Sequence, residues 1–329
     1  MHASEQKTND IAIDDVTPAP EGDLRPGPTD AGPVTRVGRR LLSRLARLDR
    51  LLERGTVQLF GVSDAAKTRR LSTGLGALDD ALGGGLPCGR VVEIAGAPSS
   101  GKTMLALALC RAAQAQGGVA AYVDAEHGLS VDTLARAGVQ GDRLVIARPD
   151  GGEQALHVVD ELLRARAASI VVVDSVAALV PAAELNGVTG GAPAGHLSRL
   201  MSQSLRRLSL ECAKAGAVVV FVNQFRRTWG EDGKGRATTT GGAALHYAAS
   251  TRLVVMGDSA APHDAPRAAP SSLSVLITKA RFNGDAVGKV VAVGGLARPR
   301  VDMPPIDARS DDGRAHSSDQ PENVVVRNG

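Results

Sequence analysis

Aromatic side chains are scarce: one Trp, two Tyr and four Phe among 329 residues. A core must therefore be built from aliphatic side chains, and apolar residues still make up 43% of the chain. Ala, Val, Leu and Gly supply most of it, which suits a parallel sheet packed tightly by helices. Cysteine is nearly lacking too. Cys88, Cys110 and Cys212 lie far apart with no CxxC or Cys/His spacing, which argues against a disulfide scaffold and a zinc site. No run of about 18 apolar residues is present, so no membrane-spanning helix is expected. The first residues, MHASEQKTNDIAIDD, are polar and acidic, unlike a secretory signal, so a cytoplasmic location is expected. The formal charge of +3 is too small to identify a nucleic-acid binder, and only the placement of charge can do so.

The length suits one large α/β domain or two small ones. Residues 1–37 are proline-rich, mildly acidic and without apolar periodicity, so a disordered arm is expected there. Residues 297–329 repeat that character, and a disordered tail is expected. Between them, residues 38–62 form a first segment. In RRLLSRLARLDRLLER (39–54), Leu41, Leu45, Leu48 and Leu52 recur on one face of a helix, and six arginines occupy other positions. Such a helix either exposes a solvated basic face or docks its leucines on a neighbouring subunit. Thr56–Phe60 reads as a short strand.

Residues 63–296 form the main body. Val91–Ile94, Val119–Val123, Leu144–Ile146, Ile170–Val173 and Val218–Val222 are short runs rich in β-branched residues. Helical stretches 103–116, 152–167 and 196–215 separate several of them. Apolar strands alternating with helices imply an α/β fold with a mostly parallel sheet covered on both faces. Arg252–Met256, Leu273–Thr278 and Val290–Val293 extend that sheet.

Gly96, Ala97, Pro98, Ser99, Ser100, Gly101, Lys102 and Thr103 make a complete G-x4-G-K-T motif. Strand-like VVEI precedes it and helix-like TMLALALCRAA follows, as phosphate binding requires. The glycines let backbone N–H groups close around a phosphate at a helix N-terminus. Lys102 is expected to reach the β- and γ-phosphates, and Thr103 to offer its hydroxyl to Mg2+. Asp174 ends the run Ile170–Val173, where a parallel sheet presents its ligands. Water-mediated Mg2+ binding is its expected role, with a turn or helix-cap role as the alternative. Glu126, after another strand, is expected to orient and polarise an attacking water. Asp124 competes for that role, and His127 reads as structural. Gln224 follows strand 218–222 and can sense a γ-phosphate as a neutral amide.

With those residues in place, the chain resembles the bacterial RecA family of ATP-dependent recombinases. GAPSSGKT, DAEH (124–127), GEQAL (152–156), VVVDSVAALVP (171–181), MSQSLRRL (201–208), FVNQFR (221–226) and TTTGGAAL (238–245) follow in family order. The resemblance implies a RecA-type P-loop ATPase core. It makes 38–62 a helix-strand oligomerisation segment that docks on an adjacent protomer. Glu126 matches the family's catalytic glutamate and Gln224 its γ-phosphate sensor. Lys279 and Arg281 match two basic residues that reach the nucleotide of the neighbouring subunit, Arg281 standing where lysine is usual.

Two segments resemble the family's DNA-binding loops: Glu184–Gly195, which includes Gly190, and Phe225–Thr240, which carries Arg226, Arg227 and Trp229. Trp229 in so polar a stretch suits stacking on bases, or packing on a neighbour. Arg199, Ser202 and Arg206 match positions lining the DNA groove, and Gly241 and Gly242 match backbone contacts to DNA phosphates. The resemblance thus implies ATP and Mg2+ as ligands and single-stranded and double-stranded DNA as partners. It also implies a homo-oligomeric filament serving recombination, repair and the SOS response, with a LexA-like repressor or a translesion polymerase as a further partner. Several departures stand out. Ala97-Pro98 replaces the family's Pro-Glu, and Gly128–Thr133 lacks the Asp and Tyr that contact adenine, Ser130 and Thr133 standing there instead. Ala243 replaces an Asn, and the family's C-terminal domain is not recognisable after KVVAVGG (289–295). An accessory or regulatory RecA-like protein with little strand exchange is the alternative reading.

Overall fold

The computed structural model describes residues 36–52, 68–185, 193–229, 235–256 and 272–296. Residues 1–35 of the expected arm, the strand at 56–60, the tail and Gly190 lie outside them, whereas Arg36 and Val37, expected in the arm, belong to a helix. The chain divides into two compact units, Met1–Ala66 and Lys67–Gly329. In the first, helix α1 spans Arg36–Leu52, starting three residues before the expected helix and ending two before it. Its leucine face is left half open, with Leu41, Leu48 and Leu52 at 42–49% exposure.

The second unit begins with a small antiparallel ribbon of β1 (Arg70–Leu71) and β2 (Leu86–Pro87), with helix α2 (Gly76–Leu82) between them. The main sheet then builds from β3 (Arg90–Gly96), β4 (Ala120–Asp124), β5 (Leu144–Ala147), β6 (Ile170–Asp174), β7 (Val218–Trp229), β9 (Thr251–Met256), β10 (Ser272–Ala280) and β11 (Val290–Gly294). Their order is β11-β10-β9-β3-β7-β6-β4-β5, and β8 (Gly235–Thr239) pairs with β7. From β9 across to β5 every pairing is parallel. The β10, β11 and β8 pairings are antiparallel.

Period-two side-chain alternation divides the core between the two faces. Val92, Ile94, Val172, Val220 and Val222 pack with Leu105 and Leu109 of α3 (Lys102–Ala115). Val91, Val171, Val173, Val219 and Phe221 pack on the opposite face with Leu156 and Leu163 of α5 (Gly152–Arg164) and with Met201 and Leu205 of α7 (Pro193–Ala215). Each such aliphatic side chain contributes about 1.5–3 kcal/mol on full burial. All five residues of β6 are buried, as expected of a strand covered on both faces. Short helices α4 (Val131–Ala137), α6 (Ala182–Leu185) and α8 (Ala243–Ala248) complete the unit.

Both expected DNA loops are more regular than glycine content and charge suggest. The first, Glu184–Gly195, overlaps α6 at one end and the start of α7 at the other, so Gly195 is helical. Pro193 explains the early start, since its fixed φ and missing N–H suit the first turn of a helix. The second, Phe225–Thr240, continues β7 to Trp229 and returns as β8, with Phe225 opposite Thr239 and Trp229 opposite Gly235. Aromatic and β-branched residues at those positions favour the extended backbone, and pairing satisfies its N–H and C=O groups.

Candidate nucleotide-binding active site

The parallel strands deliver their carboxyl ends to one edge of the sheet, where ligands bind in such folds. Register brings Gly96 of β3 opposite Gln224 of β7, and Asp124 of β4 opposite Asp174 of β6. The G-x4-G-K-T loop joins β3 to α3 at that edge. Two of its residues hold positive φ, Ser99 at 57° and Gly101 at 98°. A Cβ on Gly101 would meet Leu273 Cδ2 at 2.7 Å, and one on Gly96 would meet Ser100 Oγ at 2.5 Å and the Val255 carbonyl at 2.7 Å.

The loop leaves polar groups for a ligand. Ser100 Oγ is buried with no hydrogen-bond partner, an arrangement that costs free energy unless something polar fills the cradle. Helix α3 has no side-chain cap at Gly101, so its first N–H groups face the loop. Lys102 is 7% exposed and its Nζ donates to the Ala97 carbonyl at 2.6 Å. Burial lowers the Lys102 pKa, while the charges of Asp174 and Glu126 act in the opposite direction. An orphaned hydroxyl, a buried ammonium and an uncapped helix start fit a polyphosphate.

Thr103 Oγ1 donates to Asp174 Oδ2 at 2.7 Å, and the Tyr122 hydroxyl donates to the same oxygen at 2.6 Å. Burial raises the Asp174 pKa, and these two hydrogen bonds oppose the rise. The Tyr122 phenol is pushed well above its ordinary value by burial first, then by Asp174. A hydroxyl and a carboxylate in contact form a hard oxygen donor set, which fits Mg2+.

The acids at the end of β4 separate by their partners. Asp124 is 2% exposed and accepts from the N–H groups of Gly128 at 3.0 Å and Leu129 at 3.1 Å, with Arg148 Nε at 3.4 Å. Its oxygens are committed to holding the turn after the strand. His127 lies in that turn at φ 52°. Glu126 is exposed instead. Its Oε1 accepts from Ser175 Oγ and, at 3.3 Å, from Gln224 Nε2. One edge therefore carries Lys102, Thr103, Asp174, Glu126 and Gln224 together.

Lys279 and Arg281 are not brought to this edge. Lys279 Nζ donates to the carbonyls of His246 at 2.7 Å and Tyr247 at 3.3 Å, and Arg281 Nη2 donates to Tyr247 at 3.4 Å. Both cations cluster at the end of α8, two strands across the sheet from the loop. Burial, then Arg281 and Arg252, lower the Lys279 pKa.

Arg199, Ser202 and Arg206 form an exposed stripe on α7, opposite the buried Met201, Leu205 and Leu208. Gly241 and Gly242, at φ 87° and 76°, make the turn from β8 into α8. A Cβ on Gly242 would approach Ser198 Oγ of α7 to 2.7 Å, so the glycine turn and the start of the stripe adjoin. The backbones of Arg226, Arg227 and Trp229 lie in β7, and their side chains fall outside the described residues. His157, Asp160 and Glu161 also cluster on α5. Asp160 is already paired with Arg164 at 2.9 Å and Arg207 at 3.1 Å, so its charge is offset and a cation would compete with both.

Sequence reading missed Tyr122, Ser175 and a buried polar network behind Gln224. Asn223 Nδ2 donates to Glu93 Oε1 and to the Thr240 carbonyl, both at 2.9 Å, and Arg252 Nε pairs with Glu93 Oε2. A signal was present: Glu93 interrupts the apolar run RVVEIAG, and Asn223 ends VVVFV. A polar residue inside a buried strand needs partners.

A family model described as the RecA N-terminal domain matches residues 39–283. The protein named Protein RecA from Synechococcus elongatus is 46% identical over 209 residues, covering 64% of this chain and 59% of the relative. Protein RecA from Crocosphaera subtropica is 48% identical over 209 residues, 64% of this chain and 60% of the relative. Protein RecA from Caulobacter sp. (strain K31) is 48% identical over 216 residues, 65% of this chain and 61% of the relative. The chain thus spans about three fifths of the length of these curated relatives. The family match over residues 39–283, borne by a mostly parallel sheet flanked by helices, shows that the chain belongs to the RecA family.

Proposed function

We propose that this protein is a DNA-dependent ATPase of recombination and repair, which grips single-stranded DNA in its ATP-bound state. One observation carries the reading: Glu126 and Gln224 share a hydrogen bond at the edge that also holds Lys102, Thr103 and Asp174. Lys102, Ser100 and the first N–H groups of α3 bind the polyphosphate. Thr103 and Asp174 hold Mg2+, which when bound neutralises phosphate charge. Glu126 orients a water and accepts its proton, work that contributes about 10²–10⁴ in rate. Gln224 senses the terminal phosphate at the root of the β7–β8 hairpin.

The DNA surface consists of the α7 stripe, Gly190, the glycine turn at Gly241 and Gly242, and the hairpin with Arg226, Arg227 and Trp229. Lys279 and Arg281, remote from their own loop, supply cations to the site of an adjacent protomer, where they offset charge on the transferred phosphoryl group. The exposed leucine face of α1 docks on a further copy, so filament assembly completes the site. Strand exchange on double-stranded DNA, SOS signalling and contact with a LexA-like repressor or a translesion polymerase follow from the same reading.

The test is ATP hydrolysis with and without single-stranded DNA, for the wild type and Glu126→Gln. Strong stimulation of the wild type is expected, with Glu126→Gln losing about 10²–10⁴-fold in rate while still binding ATP. Turnover indifferent to DNA would overturn the reading and favour an accessory role.

A further inference from the structure

The carbonyl of Thr240 sits at the junction between hairpin strand β8 and the glycine turn into α8. It accepts from Asn223 Nδ2 at 2.9 Å. Asn223 is fully buried and directly precedes Gln224, whose backbone N–H donates to Asn223 Oδ1 at 2.8 Å. The second Nδ2 proton goes to Glu93 Oε1 at 2.9 Å. These three partners leave one orientation for the amide, because flipping it would set donor against donor at Gln224 and acceptor against acceptor at Glu93 and Thr240. Glu93, itself fully buried on β3, is balanced by Arg252 of β9.

This arrangement spans the distance between two candidate functions. At one end, Gln224 touches Glu126. At the other, Thr240 anchors the hairpin and, through Gly241 and Gly242, the start of α8. The carbonyls near the end of α8 hold Lys279 and Arg281. A cavity of about 610 Å³ lies beside the same junction, lined by Phe225, Thr238, Thr239, His246, Arg252 and Thr278. The hairpin root therefore has open space on one flank and is tied to the nucleotide edge on the other.

We infer that Asn223 is a positioning residue. Held by Glu93, its amide carries a displacement of Gln224 to the Thr240 junction, and so to the hairpin and to α8. The inference rests on the reading that nucleotide state governs the grip on DNA, and it assigns the connection to one side chain. An amide making a different bond to each end moves both together, and in the low-dielectric interior those bonds are costly to leave unmade.

Two variants test it. Asn223→Leu keeps a similarly branched but bulkier side chain and removes all three bonds. Asn223→Ser keeps a polar group too short to bridge. Folding is followed by circular dichroism, and nucleotide binding by a fluorescent ATP analogue. The deciding measurement is hydrogen–deuterium exchange across residues 238–245 with and without a slowly hydrolysed ATP analogue. In the wild type the analogue should slow exchange there about tenfold, the equivalent of one net hydrogen bond. In both variants that protection should vanish while the analogue still binds. A purely structural role would lower the melting temperature and leave the nucleotide response intact, and that result overturns the inference. So does a wild type whose 238–245 segment ignores the nucleotide. The ratio of DNA-stimulated to basal hydrolysis should fall about tenfold in both variants, within the usual range for coupled sites. Absent stimulation in the wild type would instead overturn the functional reading, leaving the exchange result to judge Asn223 separately.

Discussion

Replacing Tyr122 by Phe deletes a single hydroxyl at the heart of the site. Tyr122 is 1% exposed, and its hydroxyl lies 2.6 Å from Asp174 Oδ2. A hydrogen bond to a charged group contributes about 1.5–3 kcal/mol. Thr103 still donates to the same oxygen at 2.7 Å, so the carboxylate is not orphaned, and the Phe ring no longer has a phenol to desolvate. The net cost should therefore be about 1–2 kcal/mol, nearer the lower end of that scale. For a unit of this size each kcal/mol moves the melting temperature by about 2–4 °C, giving a drop of about 2–8 °C.

The pH dependence has a definite sign. Burial lifts the Asp174 pKa above 3.8, while the Tyr122 and Thr103 hydrogen bonds hold it down. An acid with a raised folded-state pKa costs stability when ionised, and that cost fades as pH falls through the folded value. Losing Tyr122 lifts the pKa further, so the variant's deficit should be largest near neutral pH and should narrow on acidification. Thermal melts of both proteins in chelator, from neutral pH downward, measure this. A variant that melts with the wild type at neutral pH, or a deficit that widens in acid, would refute the reasoning.

Three further outcomes are expected. Gly101→Ala places a methyl 2.7 Å from Leu273 Cδ2 at a φ of 98°; backbone strain of about 1–2 kcal/mol and overpacking of about 1–3 kcal/mol should lower the melt and abolish binding of a fluorescent nucleotide. Wild-type binding by that variant would show the loop to be less constrained than its contacts imply. Asp124→Asn should cost about 1–3 kcal/mol by weakening the turn at Gly128 and Leu129, yet change turnover far less than Glu126→Gln; the reverse ranking of rates would exchange the roles of the two acids. Burial pushes the Cys110 and Cys212 thiols up to about 12 each. Their thiolate fraction near pH 8 is then about 10⁻⁴, so alkylation of the native protein followed by peptide mass spectrometry should find Cys88 modified first. Early labelling of Cys110 would mean that the core opens readily.

Elements whose signal is local were legible in the chain. The β-branched runs of β3, β4, β6 and β7 and the helix after Lys102 stand where they were expected, because strand alternation and loop-to-helix chemistry depend on near neighbours. The hairpin from Phe225 to Thr239 read as a loop, since its pairing partner lies across a glycine-rich stretch and only the partner reveals the ladder. Gly195 read as loop for a related reason: glycine content was weighed above the helix-starting Pro193.

The site followed the same division. Gly96–Thr103, Asp174, Glu126 and Gln224 were expected from the sequence because each closes or closely follows an apolar strand-like run, and such run ends gather at one edge of a parallel sheet. Residue pattern alone left Asp124 competing with Glu126, two residues apart after the same strand, and only the family resemblance favoured Glu126. Folding gives the two acids different partners, turning Asp124 onto the N–H groups of Gly128 and Leu129 and leaving Glu126 beside Gln224. Tertiary structure alone joins Glu93 to Asn223, 130 residues away, and Tyr122 to Asp174, 52 residues away. The reason is geometric: composition and periodicity specify what each strand is, whereas strand order and register specify which polar atoms meet across the sheet.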